Sequence, residues 1–218
     1  MTLIDIEDLM SRLATSRAVF HSEADFQHEL AILMRLLRPD LRVRLEVPVM
    51  PRTVVDMLVT EPSSGERIAI ELKYKTAHWE GIVEGEAFRL KNHGADDLGS
   101  YDVLKDVSRI EVLIRERLVT QGMVVFVTNE PLYWKTRASG TRRTNAHEFR
   151  IHENVAPLTG VRSWGPKTGG SSRNREAPIA LAGNYSISWA PYSNVGNGRG
   201  EFRCLVFHVA SPATLGGS

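Results

Sequence analysis

Apolar positions recur with a helical period in the first two segments of the chain. Residues 3–17 carry apolar side chains at every third or fourth position and acidic side chains in the opening turn, which predicts a first helix. A second helix is predicted over residues 23–38, because Ser22 is a good N-cap and Pro39 ends the periodic stretch.

The next three segments have the patterns of β-strands. Residues 42–49 alternate apolar and polar side chains, whereas residues 53–60 are nearly all apolar, as expected of a strand that is covered on both faces. A turn-forming stretch at 61–65 leads into a third strand at 67–75. The last two strands are therefore predicted to pair as a hairpin.

The middle of the chain is predicted to hold one more helix and one more strand. Residues 76–97 have mixed character and include three glycines, so we interpret them as an irregular connection. An amphipathic pattern predicts a helix over 100–119, and a continuous apolar run predicts a buried strand at 123–128. The aspartates of this helix, among them Asp102 and Asp106, are expected on a solvated, salt-bridged surface.

The pattern changes after residue 136. Residues 137–177 are rich in Gly, Ser, Thr, Asn and Arg, have little periodicity and are long for a plain connection. Further strands are predicted at 179–189 and 201–209, and the tail at 211–218 is predicted to be disordered. The fold class that follows is α/β, with a mixed central β-sheet flanked by helices.

The charges divide at the same point in the chain. Residues 1–136 hold 17 Lys and Arg against 22 Asp and Glu, whereas residues 137–218 hold 10 against 4, which the net charge of +1 conceals. A basic segment of this kind is either an electrostatic footprint for nucleic acid or a solvated loop whose arginines face water. We interpret residues 1–136 as the core and residues 137–218 as a basic loop with an added C-terminal β segment of the same domain.

Composition narrows the class of protein further. No run of about 18 apolar residues appears, so no membrane span is predicted, and the acidic N-terminal residues do not resemble a secretory signal. Cys204 is the single cysteine, which rules out an internal disulfide framework and suits a small buried core residue. The expectation is a cytoplasmic protein.

Charged side chains interrupt two of the apolar strands. Asp56 lies in the strand at 53–60, and Glu71 and Lys73 lie in the strand at 67–75. Because successive strand residues point to opposite faces, Glu71 and Lys73 share one face, and a hairpin brings Asp56 beside Glu71. Two neighbouring carboxylates repel each other, and a hard cation such as Mg²⁺ offsets that repulsion with oxygen ligands. Lys73 is then close to a metal-bound water or a substrate phosphate.

This arrangement, Asp56 followed after 14 residues by Glu71-Leu72-Lys73, resembles the PD-(D/E)xK nuclease superfamily. The predicted order of one helix, three strands, one helix and one strand over residues 20–130 also resembles the restriction-endonuclease-like core of that superfamily. The resemblance implies that Asp56 and Glu71 bind Mg²⁺, or Mn²⁺ in its place. It further implies that Lys73 assists the hydrolysis of phosphodiester bonds in DNA.

The resemblance also implies an acidic residue on the first core helix. Glu23 and Glu29 both neighbour the apolar face of that helix, and the choice between them stays open. The chain departs from the superfamily pattern at Val55, because a proline often precedes the aspartate there.

Two other interpretations of the charged strands stay open. Alternating charges are common on a half-exposed strand, so Asp56, Glu71 and Lys73 could form a structural salt-bridge network, with Lys75 as an alternative partner of Glu71. The same fold also occurs in non-catalytic proteins that bind nucleic acid or form complexes.

Basic residues in the second part of the chain are predicted to contact DNA phosphates. Trp164 is flanked by basic residues and is a candidate for stacking on a base, whereas Tyr101 and Arg109 are candidates for supporting the site or binding phosphate. A homodimer is expected of an enzyme that cuts both strands of a duplex. The residues predicted to bind nucleic acid are Arg142, Arg143, Arg150, Lys167, Arg173 and Arg175.

Overall fold

The structure is a computed structural model that describes residues 3–136, 143–166, 174–196 and 198–210. The helices in these ranges are α1 (Ile6–Ser16), α2 (Glu23–Leu37) and α3 (Asp96–Arg115), with a short 3₁₀ turn at His147–Phe149. The strands are β1 (Arg42–Met50), β2 (Thr53–Thr60), β3 (Arg67–Lys75), β4 (Trp79–Val83), β5 (Glu86–Leu90), β6 (Gln121–Thr128), β7 (Leu158–Arg162), β8 (Ile179–Tyr185), β9 (Trp189–Asn194) and β10 (Glu201–Ala210).

Six of the strands form one mixed sheet, in the order β1-β2-β3-β6-β10-β9. Neighbouring strands are antiparallel except for β3 and β6, which are parallel. Parallel neighbours need a crossover connection, and α3 lies in the one between β3 and β6. The predicted α/β class with a mixed central sheet is confirmed. The last two strands, β9 and β10, belong to the same sheet, because β10 pairs with both β6 and β9.

Helices cover both faces of this sheet. α1 and α2 pack on one face, where Phe20, Phe26 and Leu72 belong to one buried cluster. α3 and the β7–β8 ribbon cover the other face, around Phe126 and other aromatic side chains. Cys204 is buried in the first of these clusters, as predicted.

Capping rules predict the start of α2 correctly but not the two ends of α3. Ser22 caps α2 as predicted, since its hydroxyl accepts a hydrogen bond from the Asp25 N–H at 3.1 Å. α3 instead begins and ends about one turn before the predicted 100–119. Its C-terminal end is set by Arg117, whose φ of 58° allows the Leu118 N–H to return to the carbonyl of Leu113.

Two regions predicted to be irregular contain paired strands. β4 and β5 form a hairpin inside residues 76–97, with a two-residue turn at Glu84 and Gly85 whose φ angles are both positive. β7 lies inside residues 137–177 and pairs with β8. The single strand predicted at 179–189 was also wrong, because β8 ends at Tyr185 and β9 starts at Trp189. The tail at 211–218 lies outside the described residues.

None of the helices in the described part of the chain has the length and apolarity that a membrane span requires.

Candidate active site

The backbone pairing of β2 with β3 stops one residue before Asp56, the first candidate metal ligand. Paired residues run as far as Met57 and Ile70, and one position further on the Asp56 side chain takes over. Its Oδ2 accepts a hydrogen bond from the Leu72 N–H at 2.7 Å. The Asp56 carboxylate thus replaces a ladder bond at the point where β2 leaves β3, and this bond fixes its position.

A helix acid satisfies the next free amide on the same edge of β3. The Tyr74 N–H donates to Oε2 of Glu23 at 2.8 Å, which ties the first turn of α2 to β3. Glu23 lines the same cleft as Asp56, whereas Glu29, two turns along α2, does not line it. The structure therefore favours Glu23 over Glu29 as the helix acid.

Glu71 and Lys73 project from the opposite face to Leu72 and meet α3. Ile70, Leu72 and Tyr74 belong to the cluster under α1 and α2, so the predicted alternation along β3 is confirmed. Glu71 Oε1 lies 2.5 Å from Nη2 of Arg109, and Lys73 Nζ lies 2.7 Å from Oδ2 of Asp106.

Asp106 and Arg109 link these two contacts into one network. They are one turn apart on α3, and Arg109 Nη2 also lies 3.1 Å from Asp106 Oδ1. Asp106 is buried, so the prediction that it lies on a solvated surface was wrong. Its burial follows from the direction in which α3 crosses the sheet, which places this face of the helix over β3.

The Glu71 carboxylate is in an unfavourable environment. Its side chain is 1% exposed, and no residue in the described ranges donates a well-aligned hydrogen bond to either oxygen. Burial, together with the charge of Asp106, raises the pKa of Glu71 from 4.5 to about 8 despite the nearby Arg109. A bound cation in contact with the carboxylate would relieve this penalty.

Lys73 is held as an ammonium. Burial alone would lower its pKa, but the charges of Asp106 and Glu23 outweigh burial and raise it above the ordinary value. The same Nζ donates to the carbonyl of Leu72 at 3.0 Å. In this state Lys73 can stabilise negative charge and orient a polar group, but it has no free lone pair with which to take a proton.

The sequence interpretation missed Glu46, a further carboxylate at the site. Glu46 on β1 has a φ of 50°, which is rare for a residue with a side chain. Gln27 on α2 donates from Nε2 both to Glu46 Oε1 and to the backbone carbonyl of Asp56, each at 2.7 Å. The signal was an acidic residue inside an alternating strand, which by itself is too common to identify a site.

These side chains line one open cleft of about 380 Å³. Among the described residues that line it, six are acidic and four are basic, which gives a formal charge of −2 when every group is ionised. The acids are Glu23, Glu46, Asp56, Glu71, Asp102 and Asp106, and the bases are Lys73, Lys75, Lys105 and Arg109.

The cleft fits a hard divalent cation. Asp56 and Glu71 supply carboxylate oxygens, and the Glu71 oxygens are buried without a well-aligned hydrogen bond among the described residues. No group of three or more His, Cys, Asp or Glu side chains in the described ranges forms a ready-made metal cage. Mg²⁺ is commonly held by one or two carboxylates together with waters and substrate phosphates, so two acidic ligands are a sufficient set.

Two of the residues predicted to bind DNA, Arg150 and Arg175, form ion pairs within the protein instead. Arg150 pairs with Asp96 at 3.1 Å, and Arg175 pairs with Asp102 at 2.7 Å, so both dock the second part of the chain onto α3. Arg143 is exposed. Arg142, Lys167 and Arg173 lie outside the described residues.

Trp164 is half-buried, and its ring packs against other aromatic side chains of the protein. It stacks on Tyr101 with a centroid separation of 5.7 Å, contacts Phe149 and donates from Nε1 to the Arg175 carbonyl. Base stacking by Trp164 would therefore need these contacts to break.

Comparison with protein-family models, with curated proteins and with solved structures gives no match.

Proposed function

We propose that this protein is a metal-dependent endonuclease that hydrolyses phosphodiester bonds in DNA. The observation that carries the proposal is the joint position of Asp56 and Glu71 at the splayed edge of β2 and β3, with the Lys73 ammonium on the Glu71 face. The order α2-β1-β2-β3-α3-β6, with β6 parallel to β3, is the order that the resemblance to PD-(D/E)xK nucleases implies. It supports the assignment of the core to the restriction-endonuclease-like type.

Each residue has a distinct part in the proposed reaction. Asp56 and Glu71 would hold Mg²⁺, or Mn²⁺ in its place. The bound ion would polarise the phosphate and make a bound water more acidic. Lys73 stabilises the negative charge that develops on the phosphate oxygens and orients the attacking water. Glu23 keeps β3 in position through the Tyr74 amide and adds a third carboxylate to the cleft.

A purely structural salt-bridge network explains the site less well. Such a network stabilises a fold when its buried charges are fully hydrogen-bonded. Here both Glu71 oxygens and Arg109 Nε are buried without a well-aligned partner in the described part of the chain, although Arg109 Nη2 lies 2.5 Å from Glu71 Oε1. A site prepared for a further ligand accounts for these unmet groups.

The test is cleavage of single-stranded, duplex and branched DNA, and of RNA, with Mg²⁺, Mn²⁺ or EDTA. Asp56→Asn keeps an acceptor for the Leu72 N–H but removes the charge, and Lys73→Met removes the ammonium at similar length. We expect metal-dependent cutting of DNA by the wild type and a loss of at least about 100-fold in either variant. Glu29→Gln is the matched control, because Glu29 lies on α2 outside the cleft.

The outcomes separate the alternatives. Binding of DNA without cutting under every metal condition would favour a non-catalytic nucleic-acid-binding protein. Cutting that survives in Asp56→Asn and Lys73→Met would place the active site elsewhere, and cutting of RNA alone would correct the substrate.

A further inference from the structure

Arg109 on α3 connects Glu71, the proposed metal ligand on β3, to Asp106 on α3. Its Nη2 lies 2.5 Å from Glu71 Oε1 and 3.1 Å from Asp106 Oδ1. Asp106 in turn lies 2.7 Å from Lys73 Nζ. Glu71, Arg109, Asp106 and Lys73 thus form a chain of two acids and two bases, which we call the ion quartet.

The ion quartet is balanced without a metal. When Glu71 is ionised, two negative and two positive side chains sum to zero. With Asp56 counted as the second metal ligand, a divalent cation that contacts Glu71 then leaves one excess positive charge beside the Arg109 guanidinium in a largely buried space. Like charges in such a space repel each other strongly. Binding of the ion therefore favours the departure of one of the two resident cations.

The contacts indicate which cation leaves. The Lys73 side chain is 14% exposed and is also fixed by the Leu72 carbonyl at 3.0 Å. The Arg109 side chain is 32% exposed, and its buried Nε has no well-aligned partner among the described residues. Arg109 lines the open cleft one turn from Lys105, and its greater exposure makes it the cation that can turn toward solvent.

We infer that Arg109 is the resident counter-ion of the ionised Glu71 carboxylate in the metal-free protein and exchanges that partner for a substrate phosphate when the metal binds. The inference rests on the proposed function and adds to it a phosphate ligand and an order of events. A guanidinium suits both states, because its planar fork matches carboxylate and phosphate geometry equally well.

The first experiment measures metal affinity without nucleic acid. Mn²⁺ is titrated calorimetrically into wild type, Arg109→Met and Arg109→Lys at pH 8.5, where protons compete little for Glu71. Removal of the resident cation should tighten Mn²⁺ binding by about 10-fold in Arg109→Met, and Arg109→Lys should stay within about 3-fold of the wild type. Weaker Mn²⁺ binding in Arg109→Met would overturn the inference, because it would show that Arg109 only holds the metal ligands in position.

The second experiment measures DNA cleavage with metal in excess. Arg109→Met should raise the KM for DNA by about 10-fold or more while its metal sites are full, and Arg109→Lys should recover part of that loss. An unchanged KM in Arg109→Met would overturn the phosphate role. If Arg109→Met fails to fold, Arg109→Gln replaces it in both experiments, with circular dichroism as the check.

Failure of this inference is distinguishable from failure of the proposed function. A wild type that binds no Mn²⁺ and cuts nothing would overturn both. A wild type that binds Mn²⁺ and cuts DNA, beside an Arg109→Met that binds Mn²⁺ more weakly, would overturn the counter-ion exchange alone.

Discussion

Replacement of Glu71 by glutamine should stabilise the metal-free protein at neutral and alkaline pH. Glutamine has nearly the same shape but no charge, so the change removes a carboxylate that is 1% exposed and lacks a well-aligned donor among the described residues. The pKa of about 8 in the folded protein, against 4.5 for an ordinary Glu, sets the size of the effect. At about 1.36 kcal/mol per pH unit the full difference is roughly 4–5 kcal/mol, and relaxation of the open cleft should reduce it to about 3 kcal/mol.

The sign follows from proton linkage. Between pH 4.5 and about 8 the folded protein keeps a proton on Glu71 that the unfolded chain has released. The stability of the wild type therefore falls as pH rises through this window and levels off above it. Glu71→Gln lacks this proton, so its free energy of unfolding should exceed that of the wild type by an amount that grows from pH 5 to pH 8.

The assay is urea unfolding in EDTA at several pH values, with Glu29→Gln as the control for loss of a charge on the same protein. Mg²⁺ should then stabilise the wild type and leave Glu71→Gln nearly unchanged, because a ligand stabilises only the state that binds it. Parallel pH profiles for wild type and Glu71→Gln would refute the reasoning. They would mean that Arg109, 2.5 Å away, keeps Glu71 ionised throughout.

Three further predictions concern other parts of the fold. Glu111→Ala removes three hydrogen bonds of 2.7–2.9 Å that anchor β8 to α3. It should lower the free energy of unfolding by about 2–3 kcal/mol in urea unfolding. The control Glu116→Ala, at an exposed position, should lower it by less than about 0.5 kcal/mol. Burial raises the pKa of Cys204 to about 12. Its thiol should therefore resist Ellman's reagent at pH 8 in the folded protein and react only after denaturation. Rapid reaction of the folded protein would contradict the burial of Cys204. Gln27→Ala releases Glu46 and should weaken Mn²⁺ binding by about 10-fold in a calorimetric titration, whereas an unchanged affinity would show that the Gln27 contacts do not support the metal ligands.

The strand residues of the site could be predicted from the sequence because strand geometry is local. Period-two alternation places Glu71 and Lys73 on one face, and the turn after β2 pairs the strand that carries Asp56 with β3. The helix acid was narrowed to two residues but not chosen, since that choice depends on which turn of α2 reaches the Tyr74 amide.

The α3 residues could not be placed in the same way. α3 carries charges on several sides, so its amphipathic pattern does not tell which polar side chain faces β3 and which faces water. The burial of Asp106 and the contact of Arg109 with Glu71 result from the crossover that packs α3 on the sheet. Glu46 was equally out of reach, because its position depends on a positive φ that no glycine or asparagine signals.

Asp56 and Glu23 accept hydrogen bonds from backbone amides of β3 and also line the proposed metal site. This double role explains where the site lies in the fold. Where β2 separates from β3, the amides of Leu72 and Tyr74 lose the strand neighbour that would have bonded them, and unpaired buried amides are destabilising. The carboxylates of Asp56 and Glu23 accept those two hydrogen bonds. The same splay opens the cleft that Asp56, Glu23 and Glu71 line together. A gap in the sheet therefore creates both the demand for acidic side chains and the room for a cation between them, so the fold and the candidate metal site depend on the same residues.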